Sequence, residues 1–563
     1  MDWRIIERDR QYVVDKLRTG VFENLEVVTC VAETEFFYYL LRQGDLAKLA
    51  ASYPSPRKRE DVPLWVYLSS ELSMRINANH GFKAAPYVLP CSGLRNALAT
   101  KRQVCHRRAA HRSSGFADQW QGFNQKNAYA RTTPCDQDYL RKMARDTDPD
   151  GLQAWHNHAV ARYYRSLDAY DPEGIFIADG TYLFVPDNPR YENSAVLTFD
   201  KHNHPVSKKE IAELSEPQKR QLHRERCYRK VDLMHTTRDK DVYLYVATKV
   251  MNGRESETPQ LGPLVDGFVK AMGKGVMKVL IHDRGFIDGA TVTRNKQVHG
   301  VDAVFPLKKN MNCWSEAWSL AEFSDDPWVE VAPPATADTD WPVVRPQYIQ
   351  RREEKRQIKL RKIREKAIRE GTAPEQKPKL LKTAFKAVRD LRIWDACEVP
   401  IHVAVMRDIY DDGHESRWVL ATTMDFGEPM ELRQYYQLRP TIEERIRQTK
   451  CFWDLARFRS TKFSLIVNQL VFVLMAYTLV QIFLLKTGRK ELAKHTRERL
   501  FEELFNQDDK LALYCDGRVA FLPPLDYQEI ILGLEEHARR KVLGLTRKLQ
   551  AQRSAPPQKP WRP

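Results

Sequence analysis

A chain of 563 residues can bury several cores, so two to four domains are expected. Its 90 Lys and Arg against 74 Asp and Glu leave a net charge of +16, which favours a polyanionic partner, most often nucleic acid. Nine cysteines spread from Cys30 to Cys515 without a CxxC pair argue against a disulfide framework and for free thiols in a reducing compartment.

The start, Met1-Asp2-Trp3-Arg4, is charged and lacks the apolar stretch of a secretory signal. Residues 1–150 read as a mainly helical domain. Phe36, Tyr39, Leu40, Leu41 and Leu46 recur on a helical period, and Leu64–Ile76 repeats the behaviour. Basic clusters at 57–59, 101–102 and 107–108 suit a small DNA-binding module, or equally a helical cap with a solvated basic face.

From residue 172 the pattern changes. Ile175–Val185 and Ala195–Phe199 read as strands, as does 242–247, and these are expected to be antiparallel neighbours. Residues 264–272 read as a helix ended by Gly273 and Gly275. Residues 276–282 form a buried strand with Asp283 at its C-terminal end, and 303–307 a fifth strand. Strands interleaved with a helix predict a mixed α/β sheet.

Residues 310–425 interrupt that sheet. Trp314, Trp318, Trp328 and Trp341 come first, then a charged stretch with fifteen Lys and Arg against six Asp and Glu between 351 and 390. It is read as a basic helical hairpin broken at 371–378, its second arm carrying Leu381, Phe385, Val388 and Leu391 at helical spacing. Strands at 402–406 and 418–422 close the insertion. Residues 465–485 are long enough to span a bilayer, but Asn468, Gln469, Thr478 and Gln481 interrupt them, so the expectation is a helix buried in the core and no membrane. Residues 491–553 read as helical with a strand at 519–522, and 554–563 as a Pro-rich disordered tail.

Three acids stand out. Asp179 lies within a strand ahead of Gly180-Thr181, Asp283 ends another strand, and Glu443 sits in Tyr436-x2-Arg439-x3-Glu443-x6-Lys450. Carboxylates so scattered make sense as one metal site assembled by the fold, the usual apparatus for phosphoryl transfer on nucleic acid. Offsets of 3, 7 and 14 place the four side chains of the last pattern within an arc of about 60° on a helix. Pro440 belongs in a first helical turn, so Tyr436 precedes that helix and the stripe rests mainly on Glu443 and Lys450.

The pattern Y-x2-R-x3-E-x6-K resembles the signature of DDE transposases of the insertion-sequence-four type. FIADGT, VLIHDRGF and RWVLATT followed by YYQLRPTIEERIRQTK are similar to the blocks around that family's two aspartates and its glutamate. The resemblance covers about 170–486. It implies a ribonuclease-H-like mixed sheet flanked by helices, with an insertion domain before the catalytic glutamate and a helical N-terminal domain. The catalytic core would then comprise 170–309 and 426–490, with the insertion at 310–425. Asp179, Asp283 and Glu443 would be catalytic metal ligands for two Mg²⁺ ions, with Mn²⁺ as a substitute. Tyr436, Arg439 and Lys450 would contact DNA.

The implied activity is cut-and-paste transposition in the bacterial cytoplasm. The partners would be double-stranded transposon ends and target DNA, bound by a homodimer. The alternative is a catalytically inactive DNA-binding protein or repressor derived from a transposase. Pro440 departs from the family, which often has an aromatic residue there, and so does the basic helical pair. Trp314 and Trp318 read as core tryptophans, with stabilisation of a flipped base as the rarer use. Cys105-His106 with His111, His202 with His204, and His223 with Cys227 each lack the second half of a closed zinc site. No GxxxxGK[ST] loop indicates use of ATP.

Overall fold

The computed structural model describes residues 3–28, 31–60, 62–89, 92–100, 133–239, 242–332, 379–392, 394–495, 500 and 510–554. Ten strands form one sheet. In chain order they are β1 (Ile175–Val185), β2 (Ala195–Phe199), β3 (His223–Thr236), β4 (Tyr243–Asn252), β5 (Val279–His282), β6 (Asp302–Pro306), β7 (Val329–Val331), β8 (Leu380–Leu391), β9 (Ile401–Tyr410) and β10 (Glu415–Thr422). The spatial order is β7-β8-β9-β10-β6-β5-β1-β3-β2, with β4 also paired to β3. β1, β5 and β6 run parallel at the centre and every other pairing is antiparallel. Helices flank the sheet, and the fold is the mixed α/β arrangement of a ribonuclease-H-like core.

Strand β3 has no counterpart among the expected strands. Its sequence, HRERCYRKVDLMHT, hides the usual alternation because it buries charges. Lys230 and Asp232 are both fully buried and paired with each other, and Asp232 also accepts from Thr248 Oγ1 at 2.8 Å. A buried ion pair survives only when its remaining hydrogen-bonding capacity is met.

The second arm of the expected basic hairpin is a strand, not a helix. Leu380–Leu391 pairs with β9 through register shifts near both of its ends, and Asp390 adopts a positive φ of 56°. Phe385 packs in the main core on one face of the sheet, Val388 and Leu391 pack against a second cluster on the other, and Leu381 is exposed, so a strand covered on both faces mimics a helical period. The first arm, at 351–370, and the break at 371–378 lie outside the described residues, as do Trp341, the clusters at 101–102 and 107–108, the Cys105–His111 group and the tail from 555. The four strands β7 to β10 continue the central sheet beyond β6.

Five helices matter for the site: α1 (Thr258–Met272), α2 (Asn312–Phe323), α3 (Pro429–Tyr436), α4 (Arg439–Cys451) and α5 (Phe463–Lys486). Helix α5 has the length and hydropathy of a membrane span, yet 83% of its most apolar window is buried inside the protein. The polar residues that interrupt it explain why. Asn468 bonds Arg75 and Tyr67, each at 3.3 Å. Gln469 donates to the carbonyls of Asp454, Leu455 and Arg457, Thr478 accepts from the Tyr245 amide at 3.1 Å, and Gln481 donates to Ala493 O. All four are used to fasten other segments to this helix.

The N-terminal helices close over α5. Phe36 meets Phe483 edge to face at 5.6 Å, and Tyr67 meets Phe472 at 6.1 Å. The two ends of the chain share a four-stranded sheet in the order Glu7–Arg8, Arg518–Leu522, Lys510–Cys515, Asn24–Val28. The expected strand at 519–522 is therefore one arm of a hairpin whose other arm, Lys510–Cys515, had been read as helical.

His235 ties the entry of β1 to β3. The Asp171 amide donates to its Nε2 at 2.8 Å, so Nδ1 carries the proton and donates to Ile175 O at 3.0 Å. Burial holds this imidazole down to about 4. A base depressed on folding stabilises above its unfolded value near 6.5 and loses that contribution as pH falls toward 4. His235→Phe is expected to cost about 1–3 kcal/mol at pH 8. The gap between variant and wild-type denaturation midpoints should narrow steadily between pH 6.5 and pH 4.

Candidate active site

Parallel pairing of β1 with β5 sets Ala178 opposite His282, so the residues that follow them, Asp179 and Asp283, emerge side by side. Asp179 is in mid-strand and buried, and its Oδ1 accepts from the Gly180 amide at 3.0 Å. Asp283 opens a short 3-10 turn, and its Oδ1 accepts from the Arg284 amide at 2.6 Å. The neighbouring His282 ring is buried against Phe305, stacked at 4.9 Å, which anchors the end of β5.

Helix α4 supplies the rest. It begins at Arg439 with Pro440 in the first turn, as the sequence suggests, while Tyr436 is the last residue of α3. Arg439 extends its guanidinium between all three acids. Nη1 donates to Glu443 Oε1 at 2.6 Å, and Nη2 lies 3.4 Å from both Asp179 Oδ1 and Asp283 Oδ2. Two oxygens equidistant from one nitrogen can be no farther apart than twice that distance. The widely separated acids therefore meet at one place.

Lys450, three turns further along α4, faces the same strand. Its Nζ donates to Thr181 Oγ1 at 2.6 Å and to Tyr182 O at 2.8 Å. Tyr436 is half-buried, and burial first, then the negative field of Asp283, disfavours ionisation of its hydroxyl. The structure thus brings all six expected residues to one locality. Asp179, Asp283, Arg439, Glu443 and Lys450 line a common cleft of ≈ 580 Å³.

The electrostatics are those of a crowded acidic site. Burial pushes the Asp179 carboxyl up to about 7, Arg439 opposing and Asp283 adding to the rise. Burial, reinforced by Lys230, pushes the Lys450 ammonium down to about 8, with Asp232 and Asp179 opposing. Carboxyl groups that share a site resist simultaneous ionisation unless a cation joins them.

Hard carboxylate oxygens are the donors that Mg²⁺ and related ions take, so the residues suit a divalent metal chemically. Among the described residues, no three His, Cys, Asp or Glu side chains are gathered closely enough to hold one ion. Arg439 stands between the acids, and the Glu443 side chain that it holds is 59% exposed.

Other cleft residues escaped the sequence reading. Arg229 on β3 and Glu257 just before α1 face each other as an ion pair, and the turn at His202, Asn203 and His204 forms part of the wall. Arg229 was invisible because β3 was, and no motif marks Glu257. His202 and His204 sit on this exposed turn with rings 6.2 Å apart, while His223 bonds Asn203 Oδ1 and Cys227 is buried in β3. Trp318 is buried and stacks on Trp314 at 5.7 Å. Arg417 lies 4.8 Å above Trp318, which leaves this pair as packing residues of the inserted strands.

Two acids delivered by parallel central strands, Asp179 buried and Asp283 partly exposed, meet a third acid from a helix at the edge of a ribonuclease-H-like sheet. The Transposase DDE domain family matches residues 170–479, more than half of the chain, and the protein belongs to that family. No curated protein matches the sequence. Members of this family are transposition enzymes that act on DNA, generally with divalent metal ions.

Removing the central cation tests the electrostatic account. In Arg439→Ala, the Asp179 carboxyl should rise further above its unfolded value of about 3.9. An acid raised on folding loses its stabilising contribution as pH increases through the folded value. The thermal midpoint of Arg439→Ala in metal-free buffer should therefore fall increasingly below wild type between pH 7 and pH 9.

Proposed function

We propose that this protein is a cut-and-paste DNA transposase of the insertion-sequence-four type. It binds the terminal inverted repeats of its element, as a homodimer on DNA, and works in the bacterial cytoplasm on nucleoid DNA. The observation that carries the reading is the convergence of Asp179, Asp283 and Glu443 on the Arg439 guanidinium.

In this reading Asp179, Asp283 and Glu443 hold two Mg²⁺ ions, for which Mn²⁺ substitutes. When bound, such ions lower the pKa of an attacking water or 3′-hydroxyl and offset charge on the pentacovalent phosphate. The chain's own groups do the positioning. Strand β1 fixes Asp179, and the turn after β5 fixes Asp283. Arg439 leaves the carboxylates for a DNA phosphate, which its planar fork can grip with two parallel hydrogen bonds. Tyr436 offers a hydroxyl at the same end of α4, and Lys450 a point charge beside Thr181. The helical N-terminal region, with its basic clusters, is the proposed reader of the element end.

Cleavage of a labelled element end in Mg²⁺ is the direct test. Asp179→Asn, Asp283→Asn and Glu443→Gln should each reduce strand cleavage to background while retaining DNA binding. Wild-type cleavage by any one of them would exclude that residue from the chemistry. Binding by the wild-type chain without cleavage would favour the alternative, a repressor derived from a transposase. Lys450→Ala should weaken end binding and lower the slope of log affinity against log salt by about one.

A further inference from the structure

Two glycines follow the two aspartates, one at Asp179-Gly180 and the other at Asp283-Arg284-Gly285, and both lie against the same carboxylate. A methyl group built on Gly180 would overlap Glu257 Oε2. One built on Gly285 would lie 2.6 Å from Glu257 Oε1. Neither glycine has a positive φ, so close approach, not backbone conformation, requires glycine here.

The carboxylate is itself fixed. Arg229 grips it with two bonds, Nε to Oε2 at 3.1 Å and Nη2 to Oε1 at 2.7 Å. Arg229 also donates to Glu255 O at 3.3 Å and lies over the Tyr182 ring at 5.0 Å. Next in sequence, Thr258 Oγ1 donates to Gly285 O at 2.7 Å, tying the start of α1 to the Asp283 turn. Both oxygens of Glu257 are thus engaged by a guanidinium, and the pair is mostly buried at 17% and 18% side-chain exposure. Such a carboxylate is poorly placed to ligate a metal and well placed to act as a rigid spacer.

We propose that Glu257, neutralised by Arg229, is a positioning residue whose two oxygens set the separation of the backbone segments bearing Asp179 and Asp283. The inference rests on the reading of those aspartates as metal holders. It explains why a charged pair lies beside an already acidic site: the pair supplies a gauge of fixed width between β1 and the turn after β5.

Direct Mn²⁺ binding to the full chain without DNA, followed by calorimetry or electron paramagnetic resonance, tests it. Asp179→Asn should abolish binding. Glu257→Ala should weaken it about tenfold, as supporting partners of metal ligands typically do. Glu257→Gln, which keeps the bulk and one accepting oxygen for Arg229, should recover most of the affinity. Gly180→Ala should bind poorly because its methyl displaces the carboxylate, and Glu257→Ala introduced beside it should restore part of the loss.

Binding that survives Asp179→Asn overturns the metal-holding reading on which the spacer depends. Binding lost in Asp179→Asn but unchanged in Glu257→Ala overturns the spacer alone. So does a Gly180→Ala/Glu257→Ala chain that binds no better than Gly180→Ala, a comparison in which both chains carry the same strand substitution.

Discussion

One guanidinium between three carboxylates is the constraint around which this site is built. Asp179 and Glu443 are far apart in sequence, yet the same Arg439 touches both, and Asp283 as well. Parallel pairing brings the aspartates together, because adjacent parallel strands end on the same edge of a sheet. The glutamate arrives by a different route. Helix α4 meets β1 at both of its ends, through Arg439 at Asp179 and through Lys450 at Thr181 and Tyr182. The inserted strands between Asp283 and Glu443 preserve this arrangement because they extend the sheet away from the acids, beyond β6.

Much of this was legible in the sequence, for physical reasons that differ by element. β1 and β5 announce themselves as apolar runs because central parallel strands are covered on both faces. The motif around Glu443 was legible through helical geometry, and Pro440 marked the helix start in sequence as it does in the fold. β3 was illegible because its signal is reversed: Lys230 and Asp232, which look like surface residues, are buried opposite Thr181 and Asp179. β8 was misread because its apolar residues serve both faces of the sheet, Phe385 the main core and Val388 and Leu391 a second cluster, which erases the two-residue period that identifies a strand. Long-range pairing also explains the missed hairpin arm at Lys510–Cys515, whose other neighbour is Asn24–Val28 at the opposite end of the chain.

Helix α5 shows how a sequence signal can be strong and still ambiguous. Its apolar length meets the requirement for a bilayer span, and only the fate of its polar residues distinguishes the alternatives. Asn468, Gln469, Thr478 and Gln481 reach four different parts of the protein. The helix is thereby the common support of the N-terminal helices, β4 and the segment that follows α4. A displacement of α5 would be felt by α4, since the loop between them hangs on Gln469. The buried helix and the acid cluster are mechanically linked, although no residue of α5 lines the cleft.

Charge accounting shows where a further cation would be accommodated. Three carboxylates converge, and among the described residues the positive group that contacts all three is one guanidinium, carrying a single charge. The three other Lys and Arg residues of the cleft wall are committed elsewhere, Lys450 to a hydroxyl and a carbonyl, Arg229 to Glu257 and Arg447 to Glu444. Burial raises the Asp179 carboxyl, and Arg439 opposes that rise without cancelling it. A divalent ion meets that deficit better than arginine, because it brings two charges to a point that hard oxygens can surround. Arg439 and a metal would then compete for the same oxygens. A DNA phosphate would favour the exchange, since it would give the displaced guanidinium a new anionic partner of matching bidentate geometry. A metal ion would thus compete with Arg439 for the acids even without DNA, and more favourably with it, which couples occupancy of the site to arrival of the substrate.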